Sequence, residues 1–140
     1  MTSTILNITF DCRDAGKVAR FWAAVTGLDR RVAYESPAGV EFSVGPPPAG
    51  GVRLYFVPVP EPKTAKNRVH LDLVPDGGQD EEIARLVELG ALVANDQPAD
   101  AGWVTLVDPE GNEFCVEPGA AEPEPPSRDR LAVAEQKMAV

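Results

Sequence analysis

The chain has 140 residues, of which 44% are hydrophobic, so it is long and apolar enough for one domain with a sizeable core, and wholesale disorder is excluded. Its 22 acidic side chains outnumber 13 basic ones, and the net charge of -9 excludes nucleic acid as a partner because no local basic patch reverses it. No apolar run approaches the roughly 18 residues that a membrane span needs, and no secretory signal is visible, so we expect no membrane association.

The first predicted elements are a strand and a helix. Residues 4–12 alternate between polar and apolar side chains and are rich in β-branched types, which predicts a strand with Asn7, Thr9 and Asp11 on its polar face. An aspartate then offers an N-cap, and apolar residues recur at helical spacing until Gly27 ends the helix. We expect the apolar face of the strand to pack against this helix.

Three further strands complete this unit, and the order of elements then starts again. The predicted strands lie at 29–35, 39–44 and 52–59, followed by a strand at 68–74, a helix at 80–89 and strands at 91–95, 103–107 and 113–117. Asn7 to His70 and the helix-ending Gly27 to Gly90 both span 63 residues, which indicates an internal repeat. The repeat predicts an α+β fold of two βαβββ modules, each with a four-stranded sheet covered by one helix.

The composition changes after residue 118. We interpret 1–118 as the domain, with modules at about 4–59 and 67–118. Residues 119–140 comprise a Pro and Glu-rich connector that we expect to be flexible, and then LAVAEQKMAV, which could form a short helix. That last segment is either a frayed tail or a small arm that docks on a partner subunit.

The two cysteines, Cys12 and Cys115, lie in predicted strands without Cys-x-x-Cys spacing. This pattern indicates neither a disulfide scaffold nor a structural zinc site. We therefore expect free thiols in a reducing cytoplasm.

Four motifs, FDCRDAGKVARFW, NRVHLDLV, LVELGA and DPEGNEFCV, occur in an order that resembles the vicinal oxygen chelate superfamily. Within it, the chain is most similar to small glyoxalase-like and bleomycin-resistance-like proteins, over residues 4–118. The resemblance implies a curved mixed sheet around a shared cavity, metal ligands on the first and fourth strands of each module, and a homodimer that shares sites between subunits. Because one fold hosts many reactions, the resemblance specifies the fold more than the chemistry.

The resemblance places the superfamily's metal ligands on residues that mostly differ in kind. The first-strand ligand falls on Asn7, the fifth-strand histidine on His70, the fourth-strand acidic residue on Leu54 give or take two residues, and the eighth-strand glutamate on Cys115. Only His70 matches, and one imidazole with one amide holds a divalent metal weakly. We predict no metal cofactor; if a divalent metal binds, His70, Cys115 and Glu117 are its candidate ligands.

For the cavity that the resemblance implies, strand parity predicts apolar walls and an acidic rim. Leu54 and Phe56 would form its floor, and Trp103 would either offer a stacking surface at its mouth or pack in the core. The predicted ligand-binding residues are Asn7, Thr9, Asp11, Leu54, Phe56, His70, Trp103, Glu113 and Cys115. The carboxylates of this face, with Asp72 and Glu117, favour a neutral or cationic organic ligand unless nearby arginines neutralise them.

The resemblance, taken with these residues, implies two functional classes. The first is a metal-independent binding protein of the antibiotic-resistance type, which sequesters a small organic molecule. The second is a glyoxalase-like lyase or isomerase, either metal-dependent or using His70 and Asp72 for proton transfer. A carboxylate two residues from an imidazole on one strand face would orient the ring for such a role, or the two would simply form a polar pair in the wall.

Overall fold

Two βαβββ modules form the part of the chain that the computed structural model describes, residues 1–46, 50–94 and 101–120. The elements are β1 (Asn7–Cys12), α1 (Ala15–Thr26), β2 (Arg30–Ser36), β3 (Gly39–Val44), β4 (Arg53–Pro58), β5 (Leu71–Leu73), α2 (Gln79–Leu89), β6 (Leu92–Val93), β7 (Val104–Val107) and β8 (Glu113–Val116). The sheets run β1-β4-β3-β2 and β5-β8-β7-β6, with β1 parallel to β4 and β5 parallel to β8. The predicted α+β fold and its repeat are confirmed.

Helix α1 begins and ends where its capping residues predict. The Asp14 side chain accepts a hydrogen bond from Lys17 N at 3.1 Å, which satisfies one of the free N–H groups of the first turn. Gly27 adopts a left-handed conformation with φ of 70° and donates its N–H to the Ala23 carbonyl, a C-cap geometry that glycine adopts without steric cost. The helix therefore buries one stripe, which includes Phe21 and Trp22.

Trp22 joins the cores of the two modules. Its ring lies 5.7 Å from the Phe10 ring of β1 and 5.1 Å from the Phe114 ring of β8, measured between centroids. Phe10 in turn stacks on Phe56 of β4 at 5.2 Å. Trp22 Nε1 donates to Asp108 Oδ2 at 3.1 Å, so the polar atom of this fully buried side chain is also satisfied. One continuous apolar core thus supports both sheets.

Polar contacts fix α1 against the second module. The Glu110 carboxylate accepts hydrogen bonds from Arg13 N and Asp14 N at the end of β1. Near the other end of α1, the Arg85 guanidinium of α2 donates to the Ala24 carbonyl at 2.9 Å and the Val25 carbonyl at 3.0 Å. These contacts hold the modules in one relative orientation and so define the space between them.

Several predicted strands are longer than the observed ones. The prediction of 68–74 is too long, because β5 spans only Leu71–Leu73 and His70 precedes it. Asn67 instead uses its backbone N–H to bond the Glu113 carboxylate and its side-chain amide to bond Asn112, so side chains replace ladder pairing there. Strand β1 likewise begins at Asn7 rather than residue 4. The connector and possible helix beyond residue 120 lie outside the described residues.

Neither described helix could cross a bilayer, since both are too short and too polar.

Candidate ligand-binding cleft

A cleft of about 380 Å³ lies between β1 and the segment that leads from β4 into β5. Strands β1 and β5 are the outer strands of the two described sheets, so the cleft forms where the modules meet. Ile8, Phe10, Val59 and Leu71 contribute apolar surface to its lining. A cleft of this size is within the range of small-molecule sites, which are mostly apolar with a few placed polar groups.

The alternation of β1 supplies polar side chains to the rim of this cleft. Thr9 and Asp11 are exposed, whereas Phe10 between them turns toward the core and packs on Trp22. Glu61, from the segment after β4, adds a second exposed carboxylate to the lining. The rim near β1 is therefore acidic.

On the side of β8, Glu113 is neutralised by an ion pair. Lys63 Nζ lies 2.9 Å from Glu113 Oε1, and Asn67 N donates to Glu113 Oε2 at 3.0 Å. Burial raises the pKa of Glu113, but the hydrogen bonds from Lys63 and Asn67 outweigh it and hold that pKa below its ordinary value. Glu113 thus stays ionised and positions the chain that closes this side of the cleft.

His70 and Asp72 form a pair beside the cleft. His70 Nε2 lies 3.4 Å from Asp72 Oδ1, and both side chains are about half exposed. Cys115 pairs with Asp72 across β5 and β8 but is only 7% exposed, and its Sγ lies 3.6 Å from Thr105 Oγ1. The His70, Asp72 and Cys115 donor atoms lie within 4.8 Å of one another. An imidazole, a carboxylate and a thiolate are ligand types that zinc accepts.

The first module does not extend this donor set. The amide oxygen of Asn7, where the resemblance puts a metal ligand, accepts a hydrogen bond from Arg53 Nε at 2.7 Å. A guanidinium at that place repels a cation and engages the Asn7 acceptor. The residues therefore fit an ion held by three side chains of the second module, and they do not fit a centre that draws ligands from both modules.

The structure brings together part of the predicted ligand-binding set. Thr9, Asp11, His70 and Glu113 all line the cleft. Cys115 is not part of the lining, although it lies beside His70. Asn7 is likewise absent from it, being engaged by Arg53 on the face of the first sheet.

The predicted pocket floor is wrong. Phe56 is completely buried and stacks on Phe10, and Leu54 packs against the same core. The register pairs Ile8 with Leu54 and Phe10 with Phe56, so both side chains of β4 point to the helix-covered face. Arg53 and Tyr55 occupy the opposite face instead.

Trp103 and Glu117 lie away from the cleft lining. Trp103 is half-buried immediately before β7, and Glu117 is half-buried immediately after β8. Of the three candidate metal ligands, Glu117 is not in the donor cluster, whereas Asp72 is. Three residues of the cleft lining were not predicted from the sequence: Glu61, Lys63 and Asn67. No helix or strand was predicted for their segment, and the local sequence signal there is a pair of prolines, which restrict the backbone.

Comparisons with known proteins agree with this architecture. A model of the glyoxalase-like domain matches residues 7–117. Among curated proteins, no sequence matches the chain. Similar solved structures include TnmS3, an antibiotic binding protein from Streptomyces sp. CB03234, which is 24% identical with a TM-score of 0.57, covering 84% of this chain and 98% of that protein.

Two fosfomycin resistance proteins have the same fold. FosX from Mesorhizobium loti is 20% identical with a TM-score of 0.62, covering 94% of this chain and 99% of that one. A FosX variant from Listeria monocytogenes, in complex with Mn(II) and 1S,2S-dihydroxypropylphosphonic acid, is 18% identical with a TM-score of 0.63, covering 86% and 93%. At these identities the likeness establishes the shared fold alone.

Proposed function

We propose that this chain, which belongs to the glyoxalase-like domain family, binds a small neutral or cationic organic ligand in the cleft between its modules, without a catalytic metal. The observation that carries the proposal is the cleft of about 380 Å³ with apolar side chains behind an acidic rim. TnmS3, which shares the fold, is an antibiotic binding protein, and sequestration of a small molecule is the corresponding role here.

The charges around the cleft favour this class of ligand. The Lys63 ammonium is paired with Glu113, so it offers little to an anion. Asp11 and Glu61 form no ion pair within the described residues, and the other basic side chains of the lining are Arg68 and His70, of which His70 pairs with Asp72. An unpaired carboxylate beside an apolar surface stabilises a cationic group and accepts hydrogen bonds from a neutral one.

The state of the candidate donors supports the proposed absence of a catalytic metal. His70 and Asp72 are half exposed and pair with each other, and Arg53 engages the amide oxygen of Asn7 in the first module. A tight site instead has preorganised ligands with fixed outer partners. The test is metal content: after dialysis, purified protein should hold no stoichiometric zinc, nickel or iron. Bound metal that is lost in His70→Ala would overturn the metal-free proposal.

Thermal unfolding with two probes of matched shape, one cationic and one neutral, tests the ligand class. Naphthylmethylammonium and naphthylmethanol should raise the melting temperature, since a ligand that binds only the folded state stabilises it by RT ln(1 + [L]/Kd). Asp11→Asn should reduce the effect of the cation and leave that of the alcohol. No response to either probe, or equal loss of both responses in Asp11→Asn, would count against the proposed charge preference.

Two exposed valines on either side of β5 provide a matched pair to locate the site. Val69 lines the cleft and Val74 does not, and both are largely exposed. Val69→Trp should fill the cleft and abolish the stabilisation by the probes, whereas Val74→Trp should retain it. If Val74→Trp abolishes it and Val69→Trp does not, the ligand binds elsewhere.

Proton transfer is a second candidate function, favoured by the 3.4 Å separation of His70 and Asp72. The carboxylate would orient the imidazole, which would accept a proton from carbon adjacent to a carbonyl group of a bound substrate. Incorporation of solvent deuterium into 2-oxo compounds measures this step. Exchange that requires both His70 and Asp72 supports an enzyme, and exchange unchanged by His70→Gln excludes this role.

We also propose a cytoplasmic homodimer. Val32 and Tyr34 of β2 are more than half exposed, and apolar surface of this kind is typical of subunit contacts. Both cysteines are free and buried, as expected in a reducing compartment. Light scattering of the purified protein should give twice the chain mass, and Tyr34→Glu should give the monomer. A monomeric parent protein contradicts the homodimer.

A further inference from the structure

A second cavity, of about 340 Å³, lies between α1 and the C-terminal end of α2. Helix α1 forms one wall, and Leu89, Gly90 and Pro109 form the other. None of its lining residues lines the ligand-binding cleft, so this cavity, which we call the helix groove, is a separate feature of the molecule. Its volume is within the range of small-molecule sites.

The floor of the helix groove is apolar and tightly packed. Phe21 is 3% exposed, and its ring centroid lies 5.4 Å from that of Trp22 and 6.0 Å from that of Phe114. Leu89, on the facing wall, is 37% exposed. A flat apolar group in the groove would contact Phe21 and remove Leu89 from water, and such burial favours association.

Contacts between the two helices and the neighbouring turn set the width of the groove. Arg85 of α2 donates to the Ala24 carbonyl of α1 at 2.9 Å, which fastens the helices together beside the groove. On the facing wall, Gly90 has φ of 118°, and a Cβ there would lie 3.4 Å from Pro109 Cγ. A side chain at position 90 would be strained and would crowd Pro109, so glycine keeps this wall open. The groove therefore needs little reorganisation to accept a ligand.

Two basic side chains give the groove its charge. Lys17 and Arg20 are exposed and lie three residues apart on α1, so they share one face of the helix. Among the described residues, neither forms an ion pair and no carboxylate lines the groove. Asp14, a carboxylate nearby in the sequence, instead caps the helix by accepting a hydrogen bond from Lys17 N. In a chain with a net charge of -9, this face is a local excess of positive charge.

The carbonyl groups in the last turn of α2 are partly engaged. Gly90 N donates to Val87 O at 3.1 Å, and Ala91 N donates to Leu86 O at 3.0 Å. These bonds use two of the carbonyl groups that a helix leaves free at its C-terminal end. The negative end of the helix dipole therefore opposes an anion in the groove less strongly.

We propose that the helix groove binds a small aromatic carboxylate. The Lys17 ammonium and the Arg20 guanidinium donate charge-assisted hydrogen bonds to the carboxylate. The aromatic ring lies against Phe21, between Ala24 and Leu89, and the bound anion relieves the repulsion between the two cations of α1. This charge preference is opposite to that of the cleft, whose rim is acidic, so the groove site stands whether or not the cleft binds a cation.

Naphthoate and its neutral isostere naphthamide are the probes for this site. In titrations of the ¹⁵N-labelled full chain, naphthoate should shift the backbone amide resonances of Phe21, Ala24 and Gly90 saturably. Naphthamide should bind at least about tenfold more weakly, because it lacks the charge that the two cations recognise.

Two double variants separate a local charge effect from a change in net charge. Lys17→Gln combined with Arg20→Gln should weaken naphthoate binding at least about tenfold. Lys66→Gln combined with Arg31→Gln removes the same number of positive charges from exposed positions outside the groove, and it should retain the parent affinity. Equal weakening in the two double variants would overturn the proposal.

Two exposed alanines, one on each helix, test the location of the site. Ala24 lines the groove and Ala84 does not. Ala24→Trp should fill the groove and abolish naphthoate binding, whereas Ala84→Trp should retain it, and circular dichroism should show that all variants remain folded. Naphthoate binding that survives Ala24→Trp, equal affinities for naphthoate and naphthamide, or no saturable shift at the groove would each overturn the proposal.

Discussion

Replacing Asp108 with alanine tests whether the buried turn before β8 fastens the two modules together. Asp108 is 2% exposed, and its carboxylate accepts hydrogen bonds from Trp22 Nε1, from the backbone N–H groups of Glu110 and Asn112, and from the Asn112 amide. Trp22 and Asn112 are themselves buried, so water cannot readily replace the lost acceptor. Each buried donor left without a partner costs about 1–3 kcal/mol.

The main-chain bond from Gly111 N to the Asp108 carbonyl would survive the substitution, so the turn itself need not be lost. We therefore expect Asp108→Ala to lower the free energy of unfolding by about 3 kcal/mol, or the melting temperature by about 10 °C. Urea unfolding followed by tryptophan fluorescence measures this. The control is Asp76→Ala, which removes an exposed carboxylate before α2 and should change stability by less than about 0.5 kcal/mol. A loss below about 1 kcal/mol in Asp108→Ala would refute the reasoning.

Three further substitutions test other contacts. Although burial raises the pKa of Glu113, hydrogen bonds from Lys63 and a backbone N–H hold it below its ordinary value, so its stabilisation is present at neutral pH and is lost as the pH falls through the folded-state pKa. The melting temperatures of Glu113→Gln and the parent should therefore converge as the pH falls below 4.5, the ordinary pKa of the group, and then through the lower folded-state pKa, and a constant difference would contradict this. Phe56→Ala should lower the free energy of unfolding in urea by about 3–5 kcal/mol, because the ring is buried in the core. A loss below about 1 kcal/mol would indicate that the ring lines a pocket instead. Gly119→Ala should lower the melting temperature markedly, since a Cβ there would overlap the Gly77 carbonyl oxygen; an unchanged value would show that the chain passes at a greater distance.

Local patterns were sufficient to predict most of the fold. The period-two alternation of β1 and the helical spacing of apolar residues before Gly27 are properties of short stretches, and both predicted elements are present. The 63-residue offset then predicted the second module from the first. Strand ends were less accurate, because at Asn67 side-chain hydrogen bonds to residues of the β7-β8 turn and β8 replace ladder pairing.

The faces of β4 depended on contacts that the local sequence does not contain. Polar or aromatic side chains alternate with apolar ones along this strand, as Arg53, Leu54, Tyr55 and Phe56. Either set could pack in a core or line a cavity. Only the pairing of Phe56 with Phe10 settles which face is buried. The cleft was likewise predicted only in part. The alternation of β1 was enough to predict Thr9 and Asp11, whereas the segment containing Lys63 is positioned by an ion pair with Glu113, which is distant in the sequence.

A crystal structure with naphthylmethylammonium, from protein first treated with a metal chelator, tests the central claim most directly. We predict electron density for the probe in the inter-module cleft, against Phe10 and Leu71, with its ammonium group within hydrogen-bonding distance of Asp11. Density elsewhere on the molecule, or binding only when a metal ion occupies His70, Asp72 and Cys115, would contradict metal-independent binding in the cleft.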